Sequence, residues 1–263
     1  MHFTKYQGLG NDFVFLDGAT AQAVTDPSGL ARRLCNRRTG IGADGLILLL
    51  PSRTADVRMR IINSDGSEAE MCGNASRCVP LHMLRKGLTT QPKIKLETLA
   101  GPIQTEVLDA QKGLVRVNMG RPRELVQHFN VPLAAHTWTG TKVSMGNPHY
   151  VVVVDNAEQF PVAELGPLLE THPLFPHKTN VEFVQILDKN HVRMRVWERG
   201  VGITQACGTG ACATAVACLA NGLASTPVAV ELDGGTLTIE WPEQQEIFMT
   251  GPATAVFEGE MDA

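Results

Sequence analysis

The sequence predicts an α+β fold built from two structurally similar domains. Three observations support this prediction: the second half of the chain repeats motifs of the first, short runs rich in Val and Ile indicate strands, and one long helix stands out in each half. A chain of 263 residues has room for two domains of moderate size, and its composition, 43% hydrophobic and 19% charged, is typical of a globular protein.

The internal repeat is clearest in two motifs that recur at one spacing. Val57-Arg58-Met59-Arg60-Ile61 recurs 135 residues later, as Val192-Arg193-Met194-Arg195-Val196. Cys72-Gly73 recurs at the same spacing as Cys207-Gly208. Because the motifs keep their order, we predict two repeats related by a pseudo-twofold axis, over residues 3–122 and 138–252. The segment 121–137 between them has no clear period and is predicted to be a connection.

Each repeat is predicted to place strands around one helix. Strands are expected where apolar residues alternate with polar ones or form a continuous run. These segments are 57–62, 94–97, 192–197 and 228–232. The helix of each half begins after the Cys-Gly pair and stops at a glycine, Gly87 in the first half and Gly222 in the second. Pro80 interrupts the first helix and is expected to kink it, whereas the second helix is rich in Ala.

Charge and hydrophobicity exclude several classes of protein. A net charge of -4, from 23 Lys and Arg against 27 Asp and Glu, provides no basic surface for nucleic acid. No apolar run approaches the roughly 20 residues needed to cross a bilayer, and the first residues lack the apolar stretch of a signal peptide. We therefore expect a cytoplasmic protein with no nucleic-acid or membrane partner, in which the six cysteines are reduced thiols.

The two matched cysteines lie where acid and base chemistry is favoured. Cys72 and Cys207 each occupy a strand-to-helix junction, where the helix dipole lowers the pKa of a thiol toward neutrality. Two similar domains about a pseudo-twofold axis would bring both junctions to one cleft. Inversion of a carbon centre needs two such groups on opposite faces, and a thiolate with a thiol would serve. Backbone N–H groups at these helix starts are suited to holding a carboxylate. They belong to Gly73, Asn74, Gly208 and Thr209.

Other interpretations of the cysteines remain open at this point. Structural zinc and a thioredoxin-like redox centre are disfavoured, because the chain has no C-x-x-C motif. A hydrolase that pairs Cys72 or Cys207 with His149 would leave the duplication unused. A purely structural role, as buried and unreactive side chains, fits Cys35, Cys78, Cys212 and Cys218 well. The same role is also compatible with the two matched cysteines. A binding protein without activity is a further alternative.

Motifs along nearly the whole chain resemble those of the diaminopimelate epimerase family. They are Gly8-Leu9-Gly10-Asn11-Asp12-Phe13, Gly40-Ile41-Gly42-Ala43-Asp44-Gly45, Asn63-Ser64-Asp65-Gly66-Ser67, Met71-Cys72-Gly73-Asn74, Gly146-Asn147-Pro148-His149, Thr179-Asn180-Val181, Glu198-Arg199-Gly200 and Ala206-Cys207-Gly208-Thr209-Gly210. The resemblance implies interconversion of LL- and meso-diaminopimelate without a cofactor or metal, in lysine and cell-wall synthesis, by a homodimer. The implied fold has a mixed sheet around a central helix in each domain, with domains at 1–122, completed by a strand at 253–263, and 123–252.

The resemblance also implies a role for each site residue. Cys72 and Cys207 are the two bases, and the backbone at Gly73-Asn74 and Gly208-Thr209 holds the reacting carboxylate. The other substrate-binding residues are Asn11, Asn63, Asn147, Asn180, Glu198 and Arg199, with His149 in a supporting role. Arg199 suits the distal carboxylate and Glu198 the distal ammonium. A racemase of the same superfamily acting on another amino acid, such as histidine or proline, is the closest alternative.

This chain departs from the common family pattern at three positions. Ala75 stands where relatives commonly have Gly, Ile203 where many have Glu, and Gly45 where some have a substrate-contacting Gln. None of the three changes either cysteine. In the repeat, Asn63 and Ser64 match Glu198 and Arg199, so the halves differ where the two ends of a substrate would differ.

Two thiols that act on opposite faces of one carbon are expected to be near enough to form a disulfide when substrate is absent. We predict that a mild oxidant abolishes activity and that a reductant restores it. The measurement is the rate of epimerisation before oxidation, after it and after reduction. Full activity after exhaustive oxidation would contradict the paired arrangement.

Overall fold

The computed structural model describes residues 1–134 and 136–261. The chain forms two compact units. The first comprises Met1–Val117 and Gly251–Ala263, and the second comprises Asn118–Thr250. Strands and helices are numbered below in chain order.

The first unit is a mixed sheet with one long helix. Its elements are β1 (His2–Gly8), β2 (Asn11–Leu16), α1 (Gly18–Gln22), α2 (Pro27–Leu34), β3 (Gly45–Leu50), β4 (Val57–Asn63), β5 (Glu68–Ala69), α3 (Gly73–Arg85), β6 (Lys93–Thr98), β7 (Gly101–Asp109), most of β8 (Leu114–Gly120), and β18 (Thr254–Glu260). Strand β1 pairs antiparallel with β2 and β18, and β2 runs parallel to β3. Strand β4 is antiparallel to β3 and β5 but parallel to β6.

The second unit has the same plan. Its elements are β9 (Arg123–Leu133), β10 (His136–Ser144), β11 (Pro148–Val153), α4 (Val162–Glu170), β12 (Asn180–Asp188), β13 (His191–Glu198), β14 (Gly202–Ile203), α5 (Gly208–Ala220), β15 (Val228–Leu232), β16 (Gly235–Glu240), a short 3-10 helix (Pro242–Gln244), and most of β17 (Ile247–Pro252). Strand β10 pairs antiparallel with β9 and β11, and β11 runs parallel to β12. Strand β13 is antiparallel to β12 and β14 but parallel to β15.

The predicted α+β fold, with two similar units and a mixed sheet in each, is confirmed. The recurring motif of the sequence lies on β4 and on β13, whose three neighbours have the same directions. The long helices α3 and α5 have thirteen residues each and begin directly after Cys72 and Cys207. Both end before a glycine with positive φ, Gly87 at 67° and Gly222 at 68°, as the sequence predicts.

The long helices are the cores of their units. Helix α3 is buried from Gly73 to Met83, and α5 is buried from Gly210 to Cys218. Small side chains in α5, above all Ala, let the strands of the sheet pack closely on every side of the helix. A helix enclosed in this way holds its first residue in a fixed place, and that residue follows a cysteine in both units.

The segment 121–137, predicted as a connection between the repeats, contains a strand; its residue 135 lies outside the described residues. Residues Arg123–Leu133 form β9, which pairs along its length with β10. Most of the strand is exposed, and its alternating apolar residues, Phe129, Val131 and Leu133, join the core only at its carboxyl end, which is too short a pattern to mark the whole strand. Pro132 has no N–H group to donate within the sheet. It is tolerated where the strand does not need a donor at that position.

Within the described residues, no helix is long and apolar enough to cross a membrane. All six cysteines lie in the described part of the chain, and none of them forms a disulfide there.

Trp197 connects the end of β13 to helix α4. Its indole Nε1 donates to Glu170 Oε2 at 2.7 Å, and its ring lies against Gly166, which has no side chain. A Cβ atom at Gly166 would lie 2.5 Å from Cγ of Trp197. The packing holds the stretch of β13 that continues into Glu198 and Arg199.

We expect Gly166→Ala to destabilise the protein, although alanine favours a helix over glycine by about 1 kcal/mol. The clash with the indole should cost more than this gain and lower the free energy of unfolding by about 1–3 kcal/mol. Urea unfolding of the variant measures the effect. Leu168→Ala in the same helix is the control, because Leu168 is 52% exposed and should change stability by less than about 0.5 kcal/mol. Gly166→Ala of native or greater stability would contradict the packing argument.

Candidate active site

Cys72 is the N-cap residue of α3 and lies beside two asparagines. Its sulfur is half-buried and 3.7 Å from Oδ1 of Asn11, to which the thiol donates. Asn74 Nδ2 donates to the same oxygen at 3.1 Å. Ser76 Oγ donates to the backbone oxygen of Cys72 at 2.9 Å, which fastens the first turn of the helix to its cap.

Charged groups flank the asparagines on both sides. Asn11 Nδ2 donates to Asp44 Oδ2 at 2.7 Å. Arg77, which is completely buried, donates from Nη2 to Asn74 Oδ1 at 2.9 Å and from Nη1 to the backbone oxygen of Gly73 at 3.3 Å. The amides next to Cys72 are thus held between a cation and a carboxylate.

Asn63 lies at the end of β4 and bonds within its own loop. Its Nδ2 donates to Ser67 Oγ at 3.0 Å, and its backbone N–H donates to the oxygen of Ser67 at 2.8 Å. Across the sheet it is opposite Gly45 of β3. A Cβ atom at Gly45 would lie 3.0 Å from the oxygen of Ile62, so the strands leave little room there for a side chain.

Cys207 is the N-cap residue of α5 and is buried. Its sulfur accepts from the N–H of Gly210 at 3.4 Å and is 3.6 Å from Oγ1 of Thr209. Gly210 must lack a side chain, because a Cβ atom would lie 3.2 Å from this sulfur and 2.8 Å from Oε1 of Glu182. Glycine therefore permits the close approach of a carboxylate to the start of the helix.

Two carboxylates face the Cys207 thiol. The thiol hydrogen-bonds Glu198, whose Oε1 also accepts from Thr204 Oγ1. Burial raises the pKa of Glu198, and the neighbouring Glu182 raises it further, while the bond from Thr204 lowers it.

Burial also raises the pKa of Cys207 well above its ordinary value, and the negative charges of Glu198 and Glu182 add to this effect. The sequence-based expectation that the helix start lowers the pKa of this thiol is therefore wrong for Cys207. The dipole of the helix is outweighed by loss of water and by two nearby carboxylates. These effects favour the protonated form of the Cys207 thiol.

His149 lies in a buried chain of polar groups that leads to the start of α5. Its Nδ1 is 2.6 Å from Oε1 of Glu182, and both side chains are completely buried. Its Nε2 is 3.0 Å from Asn147 Oδ1, and Asn147 Nδ2 donates to Thr209 Oγ1 at 3.3 Å. Burial raises the pKa of Glu182, and His149 opposes that shift.

Arg199 and Asn180 form a separate pair in the second unit. Asn180 Oδ1 accepts from the backbone N–H of Arg199 at 3.0 Å, and its Nδ2 donates to the oxygen of Pro148 at 2.8 Å. The guanidinium of Arg199 donates from Nη1 to the oxygen of His177 at 3.1 Å and is otherwise exposed.

The structure thus groups the predicted site residues within each unit. The first unit brings together Cys72, Gly73, Asn74 and Asn11, with Asn63 at the end of β4. The second unit brings the start of α5 together with Glu198, Asn147 and His149; the residues at this helix start are Cys207, Gly208 and Thr209. Asn180 and Arg199 form a separate hydrogen-bonded pair in the same unit. Four further residues contact these groups and had no role predicted from the sequence: Asp44, Arg77, Glu182 and Thr204. Glu182 had a detectable signal, because it is a single carboxylate in the apolar run of β12.

The departures from the family pattern are accommodated. Ala75 is a completely buried residue in the first turn of α3, where alanine is favourable. Ile203 lies on β14 and is 42% exposed. No group of three or more His, Cys, Asp or Glu side chains in the described residues is arranged to hold a metal ion.

Comparisons with known proteins give one consistent result. The family model described as diaminopimelate epimerase matches residues 3–125 and 141–256. The chain is 50% identical over 275 residues to the diaminopimelate epimerase of Desulforudis audaxviator, with 98% of each chain covered. It is 47% identical over 277 residues to that of Methanococcus maripaludis strain S2, with both chains covered completely.

Solved structures with the same fold are more distant in sequence. A phenazine biosynthesis protein from Bacillus anthracis superposes with a TM-score of 0.77 at 17% identity, covering 100% of this chain and 99% of the other. A probable proline racemase from Agrobacterium radiobacter superposes with a TM-score of 0.72 at 18% identity, covering 99% and 92%. At these identities the similarity concerns the fold.

We predict that Glu198→Gln makes the Cys207 thiol more acidic. The variant removes a negative charge that raises the pKa of Cys207, so the thiolate should form at a lower pH than in the unchanged protein. The test is the rate of Cys207 alkylation by iodoacetamide as a function of pH, followed by mass spectrometry of the peptide. Glu164→Gln on the exposed side of α4 is the control and should leave the profile in place. An unchanged profile in Glu198→Gln would show that this carboxylate does not act on Cys207.

Proposed function

This chain belongs to the diaminopimelate epimerase family, and on that premise we propose that it inverts one α-carbon of LL-2,6-diaminopimelate to give meso-diaminopimelate. It is an isomerase that acts on a small-molecule substrate. The product serves lysine biosynthesis and the supply of peptidoglycan precursors.

The observation that carries the proposal is the pair of matched cysteines. Cys72 and Cys207 each precede a buried helix of thirteen residues, in units whose strands have the same order and directions. Inversion of an α-carbon requires removal of a proton from one face and delivery of a proton to the other. A duplicated fold with one thiol at the same place in each repeat supplies two equivalent groups for these two tasks.

In the mechanism that we propose, Cys207 is the proton donor when substrate first binds. The support is its raised pKa, which favours the protonated thiol. Cys72, as the thiolate, then takes the α-proton, and the electron pair of the broken C–H bond is delocalised into the α-carboxylate. The Cys207 S–H proton goes to the opposite face of the α-carbon, which leaves Cys72 as thiol and Cys207 as thiolate. The reverse reaction uses the same groups with exchanged roles.

The helix starts stabilise the charge that develops during this step. N–H groups in the first turn of a helix lack carbonyl partners within the helix and point along a favourable dipole. We assign this role to the backbone at Gly73-Asn74 and at Gly208-Thr209, which would hold the reacting carboxylate. Donors that are already in place before the reaction lower the energy of the transition state without rearrangement.

The remaining polar residues are assigned to the rest of the substrate. Arg199, whose exposed guanidinium has donors to spare, is suited to the distal carboxylate, with Asn63, Asn180, Asn11 and Asn147 as further amide contacts. Glu198 supplies the negative charge for an ammonium group. His149 plays a supporting role through its bonds to Glu182 and Asn147. A site that reads a second amino-acid head group would reject the wrong distal configuration, because buried polar groups would be left unpaired.

Cofactor, location and assembly are also part of the proposal. Two thiols suffice for the acid and base steps, so we propose that no cofactor or metal takes part. The family resemblance supports a cytoplasmic enzyme that acts as a homodimer.

The experiment is incubation of the reduced protein with LL-diaminopimelate in D2O, with the α-protons followed by NMR. We expect deuterium at one α-carbon and formation of the meso isomer. Cys72→Ala and Cys207→Ala should each lower the epimerisation rate by about 10²–10⁴-fold, the usual contribution of an acid or base group. Cys218→Ala is a matched control, since this thiol is buried inside α5 and away from its start.

The outcomes separate the alternatives. Exchange with another amino acid, such as proline or histidine, but none with diaminopimelate would keep the mechanism and replace the substrate; full activity of Arg199→Ala would point the same way. Full turnover by Cys72→Ala would favour a thiol hydrolase. Tight binding with no α-proton exchange would indicate a binding protein.

A further inference from the structure

A one-directional chain of hydrogen bonds passes beside Cys72 in the first unit. Arg77 Nη2 donates to Asn74 Oδ1 at 2.9 Å, and Asn74 Nδ2 in turn donates to Asn11 Oδ1 at 3.1 Å. Asn11 Nδ2 then donates to Asp44 Oδ2 at 2.7 Å. The chain begins at a guanidinium, which can donate but not accept, and ends at a carboxylate, which when ionised accepts but does not donate.

The charged ends determine which way each amide faces. A flipped Asn11 would place its oxygen against the carboxylate of Asp44 and its NH2 against the NH2 of Asn74. Two acceptors and two donors would then face each other, which is unfavourable. The Asn11 oxygen is therefore the atom that faces Cys72 Sγ, at 3.7 Å.

The side-chain oxygens of Asp44 are fixed as acceptors. Arg37 Nη2 donates to Asp44 Oδ1 at 2.8 Å, and the backbone N–H of Asp12 donates to Asp44 Oδ2 at 3.0 Å. The backbone N–H of Asp44 donates to Asp12 Oδ1 at 3.0 Å, so the two acidic residues hold each other in place. Arg37 also pairs with Asp12, as does the buried Lys5. The carboxylate that orients Asn11 is thus anchored from several sides.

The fold does not require this chain. At the repeat spacing of 135 residues, Asp44 corresponds to Thr179 and Arg77 corresponds to Cys212. The second unit therefore has the same strands and the same long helix without either charged end. A feature that one repeat has and the other folds without is better explained by the chemistry of the neighbouring cysteine than by stability.

We propose that Asp44 is a positioning residue, which acts through Asn11 to keep an amide oxygen, rather than an amide NH2, against the sulfur of Cys72. An oxygen lone pair in this place stabilises the protonated thiol and destabilises the thiolate. The Cys72 thiolate is for this reason a stronger base than it would be beside an NH2 group. The functional part of the inference rests on the proposed function, in which Cys72 takes the α-proton.

The test is the pH profile of Cys72 alkylation by iodoacetamide in the reduced protein without substrate, read from the mass of the Cys72 peptide. Asp44→Asn should free the Asn11 amide and shift the profile to lower pH by about half a unit. The rate constant at high pH should fall by about 1.5- to 2-fold, because a less basic thiolate is a weaker nucleophile. Asn11→Ala, which removes the oxygen, should shift the profile in the same direction.

Two controls distinguish orientation of the amide from simple removal of charge. Arg37→Gln removes the exposed partner of Asp44 but leaves its carboxylate to accept from Asn11, so the profile should stay in place. A direct charge effect would instead shift it to higher pH. Adding Asp44→Asn to Asn11→Ala should cause no further shift, since Asp44 would act through an amide that is no longer present.

Three results would overturn the proposal. They are an unchanged profile in folded Asp44→Asn, a second shift of equal size in the double variant, and equal and opposite shifts in Asp44→Asn and Arg37→Gln. Should Asp44→Asn fail to fold, an unchanged profile in Asn11→Ala decides against it. The alkylation assay uses no substrate, so a protein that shows the shift but exchanges no α-proton would retain the orientation and lose the epimerase function.

Discussion

The start of a buried helix is the constraint on which the rest of this protein depends. A helix leaves its first N–H groups without carbonyl partners, and when that end is enclosed by a sheet, water cannot freely supply them. In both units the residue at this point is a cysteine. In the second unit the cysteine sulfur accepts directly from an N–H group of the first turn, that of Gly210. The packing that buries α3 and α5 therefore also fixes the two sulfur atoms.

The two units use this common scaffold with different polar surroundings. Around Cys72 the neighbours are amides held between a cation and a carboxylate. Around Cys207 the neighbours are carboxylates in a water-poor environment, which raises the pKa of the thiol. Duplication of the backbone supplies two equivalent positions, and divergence of a few polar side chains gives the two thiols different surroundings.

Much of the fold could be predicted from the sequence because the repeat and the helix ends are local signals. Gly87 and Gly222 mark the helix ends through a backbone conformation that other residues rarely adopt, and the strand motif recurs at a fixed spacing. Strand β9 could not be recognised, because its alternating apolar residues, Phe129, Val131 and Leu133, cover only its carboxyl end. The cysteines and their flanking residues could be singled out by type and position. The raised pKa of Cys207 could not, since it comes from burial and from the carboxylates of Glu198 and Glu182, which only the folded sheet brings to the helix.

The way the last strands are shared bears on how such a protein arises. Strand β9 follows the first repeat in the chain but completes the sheet of the second unit, and β18 follows the second repeat but completes the sheet of the first. A single ancestral repeat would therefore have left the first strand of its own sheet without this partner, unless a second copy supplied it. Exchange of trailing strands between two identical chains satisfies both copies at once, and gene fusion would then preserve the exchange within one polypeptide. Expression of either half alone would produce a sheet that lacks one strand.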